Sequence, residues 1–258
     1  MAKTLKVGGA AAPSPKETSL QAGSLGFETE GDTMEGFEQI STATMAIPFV
    51  RILQSLSPQL KKQDPAYIEG AEEGMYFNTI TKELYGEKVR LIVLKFERIY
   101  IEWRPNRGGF VGYHTAENAE RITVDHTFGN WKTKDGNILQ ETYAYMVLIA
   151  GHEKEGICVL SLASSSLKTA REWNRLMTTH VMEDGKRAMP YYLVWELSTE
   201  YMKNDKGSWY RPKVRFVGYV NEEQYGATKQ ERLALPARKI DYAQLEDKGA
   251  GEVESSEY

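Results

Sequence analysis

The sequence predicts a mainly β fold with minor α content, an OB-like, partly open β-barrel carrying insertions and one or two helices, with disordered termini. Three observations lead there. Runs of β-branched and aromatic residues recur at strand length, Gly, Asn and Asp turns separate them, and helical spacing of apolar residues is strong at one place alone. Strands are seldom followed by helices, which suits a curled sheet better than a doubly wound one.

Residues 1–45 are rich in Gly, Ala, Ser, Thr and Glu and include Pro13 and Pro15, so they read as a disordered leader. Order is expected from Ile47-Pro48-Phe49-Val50-Arg51-Ile52-Leu53-Gln54, a short helix or edge strand closed by Ser57-Pro58. Gly74–Ile80 and Val89–Trp103 read as strands on either side of a turn at Tyr85-Gly86. Arg107-Gly108-Gly109 breaks the chain, and Thr127–Asn137 reads as a hairpin or mobile loop. Thr142–Ala150 and Gly156–Leu162 form a hairpin across Gly151–Glu155. Ser164, Ser165 or Ser166 is expected to cap a helix to about His180, with Leu167, Ala170, Trp173, Leu176 and Met177 at helical spacing. Tyr191–Met202 and Trp209–Val220 make a second long strand pair, and Asn221 caps a short helix through Arg232. The resulting organisation is a leader (1–45), one β-rich domain (46–240) and an acidic flexible tail (241–258).

With 258 residues, 41% of them hydrophobic, the chain is long enough for a full core. No apolar run approaches the roughly 20 residues of a membrane helix, and no apolar stretch follows the first lysines. A soluble, unexported, cytoplasmic protein is expected. The single cysteine, Cys158, lies in an apolar run and reads as core. The net charge of −4 is unevenly spread: residues 1–45 hold 3 Lys/Arg against 6 Asp/Glu, 46–240 hold 28 against 24, and 241–258 hold 1 against 6. The folded part is therefore mildly basic, and the acidic whole does not argue against a polyanionic partner.

The functional pattern lies in the last strand. Period-two alternation puts Trp209, Arg211, Lys213, Arg215, Val217 and Tyr219 on one face, and Tyr210, Pro212, Val214, Phe216, Gly218 and Val220 on the other. Three cations between aromatic ends offer charge to phosphates and flat rings to bases, as single-stranded nucleic acid requires; the plain alternative is a solvated outer face. Tyr100, Trp103, Arg104, Arg107, Phe110 and Tyr113 form a second candidate cluster, a base-stacking lip or the cover of a barrel end, and Trp131 with Lys132 a weaker third. The tail residues Glu252, Glu254, Glu257 and Tyr258 offer partners a negative peptide with an aromatic anchor.

The pattern from Ile47 to Gln54, with Ser57-Pro58, Tyr67-Ile68-Glu69-Gly70-Ala71, Gly74-Met75-Tyr76-Phe77-Asn78-Thr79 and Glu102-Trp103-Arg104-Pro105, resembles that of bacteriophage proteins described as single-stranded DNA-binding proteins. The likeness covers roughly residues 45–115. The tail separately resembles those by which bacterial and phage single-stranded DNA-binding proteins recruit replication enzymes, although it is less densely acidic and ends in Tyr258 rather than Phe. These resemblances imply protection of single strands in replication or recombination, with single-stranded DNA as partner and replication or recombination proteins possible at the tail. Self-association stays open.

No Walker loop, Gly-x-Gly-x-x-Gly fingerprint, His-Glu-x-x-His pair or Gly-x-Ser-x-Gly elbow occurs in the chain, so neither catalysis nor a cofactor is expected. His114, His126, His152 and His180 are scattered, with only His114 and His126 able to meet around Asp125, so no metal is expected either. Two rivals stand beside the DNA-binding reading: a virion structural or assembly protein, and a metal-dependent nuclease.

Overall fold

β-branched and aromatic side chains crowd a helix but pack well on a pleated backbone, and the segments richest in them form the strands. The computed structural model describes Gly36 and residues 45–127, 131–205 and 207–245, the Arg107 side chain apart. The chain divides into two units, Met1–Gln39 and Ile40–Tyr258, and the strands and helices named below all belong to the second. The leader (except Gly36 and Met45) and the tail residues Glu252, Glu254, Glu257 and Tyr258 lie outside the described residues.

The fold is mainly β. Its strands are β1 Phe49–Ile52, β2 Tyr76–Asn78, β3 Leu84–Gly86, β4 Lys88–Trp103, β5 Phe110–Thr115, β6 Thr123–Asp125, β7 Trp131–Thr133, β8 Ile138–Ile149, β9 Cys158–Ala163, β10 Leu193–Asn204 and β11 Gly207–Tyr219. The α-helices are α1 Ala116–Ile122, α2 Leu167–Thr179 and α3 Glu222–Ala234. One sheet runs β11-β10-β4-β8-β9-β1-β2-β3, with β5 on the far half of β4 and the β6–β7 pair on β8. Its pairings are antiparallel except β1 with β9.

The sheet curls into an open half-barrel because strands far apart in its order bury side chains together. Tyr76 of β2, Tyr145 of β8, Leu91 and Val93 of β4 and Trp195 of β10 share one core, against which Val214 and Phe216 of β11 pack. Helix α2 adds Ala170, Trp173 and Met177 to it, with the Trp173 ring 4.6 Å from Tyr145. The convex side carries a second core of Ile92, Ile99, Ile101, Met146, Leu148 and Val159, covered by Ala227 of α3 and by Leu235, Ile240 and Tyr242. Ile92 and Leu94 give way to Ile99 and Ile101 on that side. A period-two strand makes such a switch from even to odd only through an extra residue, and the register of β4 with β8 shifts between Val93 and Lys95.

Most expected elements appear, with corrections. The segment after Ile47 is a strand held between β9 and β2, hence interior rather than edge. None of the three serines caps α2 through its side chain: Ser164–Ser166 wind into a 3-10 turn that runs straight into the helix. Asn221 does cap α3, within a capping box closed by Gln224. Helix α1 is additional, and packing extends past residue 240, since Tyr242 is 2% exposed. Among the described residues, no helix is long and apolar enough to cross a membrane.

Candidate nucleic-acid interface

Antiparallel pairing places three rows of side chains across β4, β10 and β11. The first is Arg90, Glu196, Arg215; the second Lys88, Ser198, Lys213; the third, on two strands, Glu200 and Arg211. All are on the convex side, because Glu196 shares the parity of Val194, which belongs to the second core. The cover provided by α3 and the chain after it ends at Val194, and the polar rows begin there.

Charge on this face is partly paired. Arg215 donates to Glu196 Oε1 at 2.5 Å, and Arg90 Nε donates to its Oε2 at 3.4 Å. Arg211 donates twice to Glu200 Oε2, from Nε at 3.0 Å and a terminal nitrogen at 2.9 Å. The Arg215 hydrogen bond, followed by its positive charge and the Arg90 contact, holds Glu196 below the usual carboxylate range against the opposing effect of burial. Arg211 does the same for Glu200, helped by Lys213. Lys88 and Lys213, both exposed, form no ion pair among the described residues. Five cations thus stand against two carboxylates.

The aromatic ends of this face are less open than the alternation suggests. Trp209 is half-buried opposite Met202, its Nε1 shielded and without an acceptor among the described residues. Tyr219 leaves the row: Val217 is an extra residue where the β10–β11 register shifts, and beyond it the Tyr219 ring lies 5.5 Å from Phe216, with its hydroxyl 3.0 Å from His180 Nε2.

A family description matches residues 16–240: Pam3 phage gp34-like protein. The chain belongs to this bacteriophage protein family. No curated protein and no solved structure matches it.

In this gp34-like chain the second sequence cluster is dispersed. Trp103 is buried, donating from Nε1 to Gln140 at 3.1 Å and packing edge-on to Phe110 in the second core. Tyr113 tilts against Tyr242 at 4.7 Å in the wall of a cleft of about 290 Å³. Arg104 is exposed at the following turn. Trp131 stacks on Tyr100, centroids 5.1 Å apart, and covers a small satellite core with α1, beside exposed Lys132. Sequence reasoning missed Arg90, Lys88 and Glu196, which come from strands remote in the chain; the alternation of Lys88 and Arg90 with buried Val89 and Leu91 was the available signal.

The histidines do not converge. Asn118 Oδ1 accepts from Arg121, so its amide nitrogen faces His114 Nδ1 at 2.7 Å; His114 therefore donates from Nε2 to Glu102 Oε2, also at 2.7 Å. His126 packs edge-on to Trp131, while Asp125 accepts from Thr127. Among the described residues, no three of His, Cys, Asp and Glu cluster as metal ligands.

Proposed function

We propose that this phage-family protein binds single-stranded DNA without sequence preference, covering single strands during phage replication or recombination. The observation that carries the reading is the convex face of β4, β10 and β11, left uncovered by the described residues, where Arg90, Lys88, Arg211, Lys213 and Arg215 outnumber Glu196 and Glu200. A strand exposes alternate side chains about 7 Å apart, so each strand offers a regular column of cations to a phosphate backbone. Trp209 stands at the end of the β11 column, one two-residue step beyond Arg211, and supplies a ring there. Arg211 is countered by its own glutamate, so the attraction comes chiefly from the other four cations.

The test is fluorescence titration of the full chain with oligo-dT at low and high salt, its five tryptophans serving as reporter and duplex DNA as competitor. Saturable quenching that weakens with salt and resists duplex is expected. No signal and no retention of the oligonucleotide at low salt would end this reading and favour an assembly role.

A further inference from the structure

Two guanidinium groups side by side repel unless a negative group stands between them. Arg90 and Arg215 are on strands separated by β10, so their backbones lie about 10 Å apart, with Glu196 midway. Each oxygen of Glu196 serves a different arginine. The carboxylate side chain is 10% exposed, whereas those of Arg90 and Arg215 are 62% and 67% exposed. The acid therefore lies beneath and the cations above it. A guanidinium has five N–H donors, and each arginine spends one on Glu196 among the described residues. The remaining donors have no protein acceptor there.

We infer that Glu196 is a positioning residue that holds Arg90 and Arg215 as a two-armed clamp for a phosphodiester of single-stranded DNA, with Lys88 and Lys213 receiving the next phosphate. This rests on the reading of the face as the DNA-binding surface. A long arginine loses rotamer freedom when it grips a ligand; one anchored in advance at a single nitrogen loses less and keeps most of its fork for phosphate. The second row lies one two-residue step away, about 7 Å along the strands, with neutral Ser198 between the lysines. Glu200 acts in the opposite sense. It takes two donors from one arginine, and the Arg211 side chain is only 23% exposed, so this carboxylate competes with phosphate.

The two glutamates therefore have opposite expected effects on binding of oligo-dT by the full chain, followed by fluorescence across a salt series. Glu196→Gln keeps the shape and removes the charge, which by Coulomb attraction alone tightens binding. The clamp instead expects the binding constant to fall on the order of tenfold, the loss of about one charge-assisted contact. The slope of log K against log salt should become shallower by about one. Glu200→Gln should tighten binding. In an Arg90→Gln/Arg215→Gln background, Glu196→Gln should no longer weaken binding, because only the loss of its repulsion remains. Should Glu196→Gln lower the melting temperature, Glu196→Asp, which keeps the charge on a shorter arm, is expected to weaken binding in the same direction. Unchanged or tighter binding by folded Glu196→Gln, with the wild type binding normally, overturns the clamp. Absence of binding by the wild type instead removes the reading of the face, and the clamp with it.

Discussion

Cys158 is fully buried on β9, its sulfur 4.0 Å from the Asn78 amide nitrogen. Burial, followed by the nearby negative charge of Glu155, pushes its thiol up to about 12. At pH 8 the thiolate fraction is then about one in ten thousand, against about a quarter for a free thiol. The native protein should resist an aryl disulfide reagent for as long as it stays folded and react stoichiometrically in guanidinium; rapid labelling without denaturant would contradict this environment. Glu155 has a second task beside it. One of its oxygens accepts from Tyr85 at 2.6 Å and from Asn78 at 3.0 Å, and the other lies 2.9 Å from His152 Nδ1. A single carboxylate thereby ties the β2–β3 hairpin to the turn between β8 and β9, and burial with the Tyr85 hydrogen bond to that carboxylate drives the Tyr85 phenol well above its ordinary value. The same economy appears at Glu196, where one acid orders two groups that neither strand brings together alone.

Helix α3 buries Thr228 alone and meets the second core through Ala227, so the cap at its start adds to a narrow apolar flank. Asn221 accepts from the Gln224 N–H at 2.8 Å while Gln224 accepts from the Asn221 N–H at 3.1 Å. Asn221→Ala should cost about 1 kcal/mol, read as a lower denaturant midpoint at unchanged slope, with faster amide exchange through α3. An unchanged midpoint would mean that the cap contributes nothing. This cap was legible in the sequence because an Asn-x-x-Gln box is local, as were the long strands, whose alternation extends over many residues. The short elements α1, β3 and β6 were not, since three to seven residues carry too little period to distinguish. Nor were the serines, whose capping geometry depends on the backbone, and Ser164 has φ of 49°. Bulges explain the rest: the extra residue at Val217 sends Tyr219 to His180, and the shift after Val93 turns Phe96 toward Tyr143 and Tyr145. In the candidate site Arg211, Lys213 and Arg215 were readable from one strand, whereas Arg90 and Glu196 meet across 106 positions of chain.

At the scale of the whole molecule, a curled sheet must do something with its two ends. Here the chain just past β1 reaches the β11 end, and Gln54 bonds to the outer edge of β11 as a strand residue would. Its Nε2 donates to the Tyr210 carbonyl at 2.9 Å and its Oε1 accepts from the Tyr210 N–H at 2.8 Å. Two positions on, the outward-facing edge residue is Pro212, which has no N–H to expose, and its carbonyl accepts from Thr169 of α2 at 3.1 Å. The free edge is thus closed by a side-chain amide, a proline and a helix hydroxyl rather than by another strand. This arrangement also steadies β11, the strand that carries three of the five cations of the convex face. Gln54→Ala removes both bonds to Tyr210 and leaves an unpaired donor and acceptor, a loss of roughly 1–3 kcal/mol. For a domain of this size the melting temperature should fall by about 2–4 °C per kcal/mol. The decisive readout is local. Amide exchange at Tyr210 should accelerate more than at Arg211, because antiparallel alternation points the Arg211 amide inward to β10. Equal protection of Tyr210 in the variant and the wild type would mean that the half-barrel is held by its core alone.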